Sequence, residues 1–376
     1  MKRFNYILCF ILITLTISHI QSFASEQKSI QFIVDISSAK KYVKMSQNRQ
    51  NGIIPTSEDW DSLFSTKAYK VFLENTFWDK DMFKKNIRDA FDMIYDPTKS
   101  HECDSMIKNM EASDNELVFY VSTAKSIRDN LEAYSHFLEN TDMDSVINAA
   151  DTMARELLPD KGKNLSPSIS PIYFIVWDLE CRSLGSGIYL DLNSFLQSGK
   201  QSAIEVLAHE IHHFYMTPLM ECKYDKDITD GAAQTLLYNM TEGTADIINK
   251  KKMPLESLAP YGENILKLYN DDYFSTPSVL AELDSVTIDY LDKKITLEKY
   301  NSSAFSCSHF GGHTTGDFMV FLIRDHLGLK AVIESFCDLD KFVKNYNKAA
   351  KLAGTYQFSD RFVKHIENTA REAEKR

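Results

Sequence analysis

One short segment constrains this chain more than any other feature of its sequence. Residues 203–214 contain the motif His-Glu-x-x-His, with His209, Glu210 and His213 at its fixed positions. The apolar residues around the motif recur at helical spacing, which predicts a helix with one buried face. Because residues four apart lie one above the other on a helix, both imidazoles project toward one point. Two neutral imidazoles fill half of a tetrahedral zinc shell, so the segment predicts a metal site.

Glu210 lies next to the first histidine and is predicted to have a different task. From that position its carboxylate reaches a metal-bound water without binding the metal itself. Two ligands and a general base on one helical turn are typical of zinc hydrolases. A purely structural zinc site has no use for this base, so Glu210 favours an enzyme. A zinc-binding protein without turnover and a zinc hydrolase of a non-peptide amide or ester stay open as alternatives.

A suitable third ligand follows downstream, on a second predicted helix that begins at Asp230-Gly231 and runs to about Lys250. This helix carries Glu242 and, four residues later, Asp246, so both carboxylates face the same way. With two histidines, one such carboxylate would complete a three-ligand site that keeps an open position for water.

The pair of motifs, His209-Glu210-x-x-His213 and Glu242-x-x-x-Asp246, resembles the gluzincin group of zinc metallopeptidases over about residues 170–330. The resemblance implies an exported bacterial peptidase in which His209, His213 and Glu242 bind zinc and Glu210 is the general base. It also implies that Asp246 accepts a hydrogen bond from a ligand histidine. Members of this group cleave peptide bonds, which makes a peptide or protein the expected substrate.

Rival zinc-peptidase groups fit less well. A metzincin would need glycine and histidine where this chain has Met216 and Leu219. Aspzincins use the aspartate of Gly-Thr-x-Asp as third ligand, and residues 243–246 match that core without the Tyr-Gly that should follow. Glu242 is therefore preferred as the ligand, but Asp246 stays open. No Gly-x-Met-x-Asn stretch precedes the helix, so an aminopeptidase is not favoured.

Further histidines and a tyrosine are candidates for roles around the metal. Gluzincins usually place a tyrosine or histidine after the third ligand to stabilise the tetrahedral oxyanion. His313, in a Gly-Gly-His-Thr-Thr-Gly loop, is the candidate for this role, and a purely structural loop histidine is the alternative. His309 and Tyr300 are weaker candidates. His212 is expected beside the metal ligands or at the surface, because His213 already supplies the four-residue spacing.

The N-terminus predicts export. Residues 1–24 combine Lys2-Arg3, a mostly apolar run and small residues at Ser22 and Ala24, which indicates a signal peptide cleaved after Ala24. An uncleaved membrane anchor is the alternative. The expected location is therefore periplasmic or secreted, with no stable membrane insertion after cleavage.

Charge and cysteine content exclude other classes of protein. The formal net charge of −11 becomes −13 when Lys2 and Arg3 are removed (−11 − 2), so nucleic acid is not an expected partner. The cysteines outside the signal peptide form no Cys-x-x-Cys pair, which excludes a zinc ribbon and argues against a dense disulfide framework.

The expected fold is α+β and predominantly helical, with a zincin-like core, a small β-sheet and helical subdomains. The predicted units are an N-terminal helical subdomain at 25–165, a catalytic core at 166–250 and a C-terminal helical subdomain at 251–376. The strand predicted just before the active helix, at residues 188–192, is either a core strand or a sheet edge open to an extended peptide.

Overall fold

The computed structural model describes most of the chain from residue 32 onward. The described ranges are 32–75, 79–109, 115–163, 171–177, 181–184, 186–197, 199–224, 227–256 and 262–374. The predicted signal peptide, residues 1–24, lies outside them. Residues 164–170, the middle of a predicted linker at 159–171, also lie outside them.

The described chain is predominantly helical, which confirms the expected α+β class. The helices before the sheet are α1 Ser37–Gln50, α2 Ser57–Phe64, α3 Lys67–Asn75, α4 Lys80–Tyr95, α5 Ser100–Lys108, α6 Leu117–Asp129, α7 Leu131–Asn140, α8 Met143–Glu156 and α9 Asp160–Lys163. Those after it are α10 Leu192–Gln197, α11 Gly199–Lys223, α12 Gly231–Lys250, α13 Glu263–Leu291, α14 Leu297–Phe305, α15 His313–Leu327, α16 Leu329–Ser335, α17 Leu339–Ala353 and α18 Asp360–Ala373.

In the part of the chain that the structure describes, four short strands form one sheet in the order β1-β2-β4-β3. They are β1 Ile33–Asp35, β2 Pro171–Ile175, β3 Cys181–Leu184 and β4 Gly187–Asp191. β1, β2 and β4 run parallel, and β3 pairs antiparallel with β4. β4 is the strand predicted just before the active helix; it is interior and buried throughout. The edge on that side is β3, which packs against α11.

Two helix boundaries differ from the sequence prediction. The apolar pattern of the sequence predicts one helix from Ser113 to Leu138, but α6 and α7 are separated at Asn130, whose side-chain amide donates to the Ser126 carbonyl (3.0 Å) at the end of α6. Pro218 predicts a loop after the helix of the His-Glu-x-x-His motif, but α11 continues to Lys223. Tyr215 and Leu219, four residues apart, are both buried. We attribute the longer helix to the packing of this face, which outweighs the hydrogen bond lost at proline.

The start and end of α12 agree with the prediction. Asp230 caps its N-terminus, because the carboxylate accepts a hydrogen bond from the Ala233 amide (3.0 Å). Tyr300 donates to the same carboxylate (2.8 Å), and His365 from α18 pairs with it (2.8 Å). The C-terminal helices therefore hold the beginning of the helix that carries Glu242 and Asp246.

Two glycines allow α12 and α15 to approach closely. A Cβ on Gly316 of α15 would collide with the carbonyl oxygen of Asn239 on α12, and a Cβ on Gly243 would collide with the Gly316 carbonyl. At this crossing one helix backbone rests directly on the other. Glu242 is adjacent to one glycine, and His313 lies one turn before the other, so the crossing brings the two helices together at the predicted site.

We expect Gly316→Ala to destabilise the protein by about 1–3 kcal/mol in the free energy of unfolding, because the added methyl group overpacks the crossing. Helix propensity alone predicts the opposite sign, since alanine is favoured over glycine inside a helix by about 1 kcal/mol. Denaturant titration of both proteins distinguishes the two effects. An alanine variant that is more stable than the wild type would contradict the close crossing.

Within the described residues, no helix is long and apolar enough to cross a membrane. Cys103, Cys307 and Cys337 are free thiols in the structure.

Candidate metal centre

α11 places two imidazoles at hydrogen-bond distance from each other. His209 and His213 lie four residues apart on the helix, and their Nε2 atoms are 3.0 Å apart. Both side chains are largely buried, with 7% and 10% of their surface exposed. The same nitrogen of each ring therefore points into a common, partly enclosed space, as the helical spacing predicts.

Glu242 of α12 completes a triangle with these nitrogens. Its Oε2 atom lies 3.6 Å from His209 Nε2 and 3.4 Å from His213 Nε2. A tetrahedral zinc ion with bonds of about 2.0–2.2 Å would hold its ligand atoms roughly 3.3–3.6 Å apart. The three donor atoms already have nearly this spacing, and they are the donor types of catalytic zinc sites. His209, His213 and Glu242 thus form a group that could hold a metal ion.

The electrostatics of the cluster also suit a cation. Burial opposes the charged form of each group, lowering the pKa of His209 and raising that of Glu242. The neighbouring charges outweigh burial in both cases. Asp246 and Glu242 hold the pKa of His209 well above its usual value, and His213 and His313 hold the pKa of Glu242 well below. The carboxylates of the cluster therefore stabilise positive charge beside them.

Asp246 lies behind the triangle and is completely buried. Its Oδ1 atom is 3.2 Å from His209 Nδ1, on the opposite side of the ring from the nitrogen that faces Glu242. Its Oδ2 atom is 2.7 Å from Nδ1 of His313. Asp246 thus contacts two histidines at once. This position favours Glu242 as the third ligand, with Asp246 orienting a ligand histidine.

Glu210 sits at the side of the site that adjoins the sheet. The residue is 6% exposed, and its negative charge contributes to the raised pKa of His209, which precedes it on α11. Its backbone carbonyl accepts a hydrogen bond from the Ser183 hydroxyl of β3 (2.6 Å). The edge strand is therefore fixed next to the residue predicted to be the general base.

The histidines weighed around the metal occupy different places. His313, at the start of α15, stacks its ring on that of His209 with 5.9 Å between centroids, and 24% of its side chain is exposed. His309 instead pairs with Asp272 of α13 (2.6 Å) and belongs to the loop before α15. Of the two positions expected for His212, the surface is excluded, and the position beside the metal ligands stays a prediction. This residue is fully buried against Phe336, and burial lowers its pKa to about 3, so the imidazole is neutral.

Tyr300, a weaker candidate for the oxyanion role, does not lie at the site. It is fully buried and binds Asp230, the cap of α12. Asp230 precedes Glu242 by 12 residues (242 − 230), or about 18 Å along the helix. Tyr300 therefore supports the far end of α12 and cannot reach a substrate bound at Glu242.

Sequence reasoning missed three polar residues behind the triangle of predicted metal ligands. Lys250 of α12, Tyr269 of α13 and Asp317 of α15 bind one another beside Asp246. Two of them could have been found from spacing, since Lys250 lies four residues after Asp246 and Asp317 four after His313. Tyr269 has no such signal, because only the tertiary fold brings α13 to this place.

Comparison with known proteins gives a family for the chain. Neither curated proteins nor solved structures provide a match. A family model matches residues 60–355, which is well over half of the chain, and is described as "Putative zinc dependent peptidase (DUF5700)". The matched region includes both helices of the metal cluster and His313. The chain therefore belongs to this family, whose description agrees with the ligand triangle built by His209, His213 and Glu242.

Proposed function

We propose that this protein is a zinc-dependent metallopeptidase in which His209, His213 and Glu242 hold the metal and Glu210 is the general base. The observation that carries the proposal is the triangle of two imidazole nitrogens and one carboxylate oxygen, with edges of 3.0, 3.4 and 3.6 Å. A zinc ion bound there would polarise a peptide carbonyl and lower the pKa of a water molecule in its open position.

The residues of the chain supply the proton transfers. Glu210 takes the proton of the attacking water on its carboxylate and later delivers it to the nitrogen of the leaving amine. Asp246 orients His209 through the Nδ1 contact, which keeps Nε2 directed toward the metal position. Both residues belong to the site, because Glu210 directly follows His209 on α11 and Asp246 Oδ1 lies 3.2 Å from His209 Nδ1.

His313 is our candidate for stabilising the oxyanion. Its Nδ1 is engaged by Asp246 at 2.7 Å, so Nε2 is the nitrogen left for a substrate oxygen. Its partial exposure supports a position on the substrate side of the cluster, and it donates from Nε2 when the ring carries both protons.

β3 supports a peptide as the substrate. It is the edge strand of the described sheet on the side of α11, and Ser183 ties it to the Glu210 carbonyl. An extended peptide that added to this edge would run past the general base. We therefore favour a peptide over a small amide or ester. The sequence alone supports the further proposal that the enzyme is exported by its signal peptide.

Removal of the metal tests the proposed function. The purified protein should cleave members of an unbiased peptide mixture, as detected by mass spectrometry. Treatment with a chelator should abolish this cleavage, and stoichiometric zinc should restore it. In the proposed mechanism the zinc ion is the group that polarises the carbonyl and activates the water. Magnesium is the control, since its preference for octahedral oxygen ligands does not match two imidazoles. Cleavage that persists in the zinc-free protein would contradict the proposal.

A further inference from the structure

A buried lysine lies directly behind the triangle of predicted metal ligands. Lys250 Nζ donates to Asp246 Oδ2 (2.6 Å) and to the Tyr269 hydroxyl (2.5 Å), and only 13% of its side chain is exposed. Burying an ammonium group is costly unless it is paired and hydrogen-bonded. The fold meets that requirement with groups that also contact the predicted metal ligands.

The surrounding groups form two facing pairs on neighbouring helices. Asp246 and Lys250 lie four apart on α12, and His313 and Asp317 lie four apart on α15. Across the gap, Asp246 Oδ2 meets His313 Nδ1 at 2.7 Å and Lys250 Nζ meets Asp317 Oδ2 at 3.5 Å. Asp246 and Lys250 therefore each have one partner on their own helix and one on α15. His313 and Asp317 each have a partner on α12.

Tyr269 closes the array from a third helix. Its hydroxyl accepts from Lys250 and donates to Asp317 Oδ2 (2.7 Å). Lys250 also lies over the tyrosine ring, 4.7 Å from its centroid. The ammonium group is therefore fixed from α12, α13 and α15 together, whereas an exposed lysine would be free to rotate.

Asp246 connects this array to the site. One of its oxygens faces Nδ1 of His209, and the other is shared by Lys250 and His313. The carboxylate cannot rotate without breaking the two hydrogen bonds of Oδ2 and changing the 3.2 Å separation between Oδ1 and His209 Nδ1. Any group that fixes Asp246 therefore also fixes a predicted zinc ligand and the histidine proposed for the substrate side.

We propose that Lys250, held by Tyr269 and Asp317, is a positioning residue that fixes Asp246 between His209 and His313 and so raises the affinity of the site for zinc. The inference rests on the proposed metal site, but not on its peptidase activity. Loss of a partner behind a metal ligand typically weakens metal binding by about 10–100-fold, and Lys250 acts one contact further out through Asp246.

Zinc affinity measured by competition with a chromophoric chelator tests this role in the full chain. Lys250→Met keeps the length of the side chain and removes its charge and hydrogen bonds. We expect its dissociation constant for zinc to rise by about tenfold. Lys252→Met is the matched control, because this lysine lies two residues further on, is 71% exposed and pairs with an exposed glutamate. An unchanged or tighter constant in Lys250→Met would overturn the proposal.

A double-mutant cycle tests whether Lys250 acts through Asp246. If it does, Lys250→Met should add almost nothing to the loss of zinc affinity caused by Asp246→Asn. Fully additive losses would contradict the proposed route. Tyr269→Phe, which removes only the hydroxyl, covers the case in which Lys250→Met does not fold; it should weaken zinc binding several-fold, and an unchanged affinity would overturn the proposal.

The same measurements separate this inference from the proposed function. A wild-type protein that binds zinc tightly but cleaves no peptide would contradict the proposed peptidase activity. The double-mutant cycle would still test the role of Lys250, because it measures zinc affinity. A wild-type protein without zinc affinity would overturn both.

Discussion

Replacing Glu210 with glutamine should lower peptide turnover by a factor of about 10² or more and leave the zinc content unchanged. Glutamine has nearly the size of glutamate, but it cannot accept the proton of the attacking water. Because no metal ligand is lost, the melting temperature should also change little. The measurement is a paired assay on one peptide mixture, with zinc determined in both proteins.

Glu205 provides a matched control for this experiment. It is a buried glutamate on the same helix, one turn before His209, and it binds Lys251 (2.7 Å) and Gln201 (3.1 Å). Glu205→Gln makes the same chemical change away from the proposed proton path, so turnover should stay close to that of the wild type. A loss as large as that of Glu210→Gln would indicate a general effect of charge on α11.

The two possible failures have different meanings. Equal cleavage by wild type and Glu210→Gln would show that the proton acceptor is another group, and the proposed mechanism would be wrong. No cleavage by either protein, with zinc fully bound, would favour the alternative of a zinc-binding protein without turnover.

The local parts of the site could be predicted from sequence because spacing on one helix determines them. His209 and His213 lie on one turn of α11, and Glu242 and Asp246 share one face of α12, as their four-residue spacings predict. The start of α12 at Asp230 was also correct, because its capping residue is encoded locally. The fold class followed from helical periodicity over most of the chain.

The remaining features depend on contacts that no spacing encodes. The approach of α15 to α12 depends on Gly243 and Gly316, which a sequence pattern does not pair. His309 and His313 lie in one predicted loop, but in the structure His313 begins α15 and reaches Asp246, whereas His309 pairs with Asp272 of α13. Similarly, the sequence makes Tyr300 a candidate site residue, but α14 places it beside Asp230. Tertiary packing decides these positions.

The identity of the third ligand gives the second large expected effect. Glu242→Gln should reduce zinc affinity far more than Asp246→Asn, because the first change removes a ligand and the second only a partner of a ligand. For Asp246→Asn we expect a loss of roughly 10–100-fold. Both substitutions keep the size of the side chain, and chelator competition measures both on one scale.

A buried carboxylate elsewhere supplies the control for this comparison. Asp284 is 4% exposed and binds Tyr356 (2.7 Å) and Ser359 (2.8 Å), in a separate cluster near α18. Asp284→Asn should lower the melting temperature without changing zinc affinity, since none of its bonds reaches the ligand triangle. If Asp246→Asn abolished zinc binding while Glu242→Gln retained it, Asp246 would be the ligand and the resemblance to gluzincins would be wrong. The distances favour a larger loss for Glu242→Gln than for Asp246→Asn. Glu242 Oε2 lies within 3.6 Å of both Nε2 atoms, whereas Asp246 faces the other side of the His209 ring.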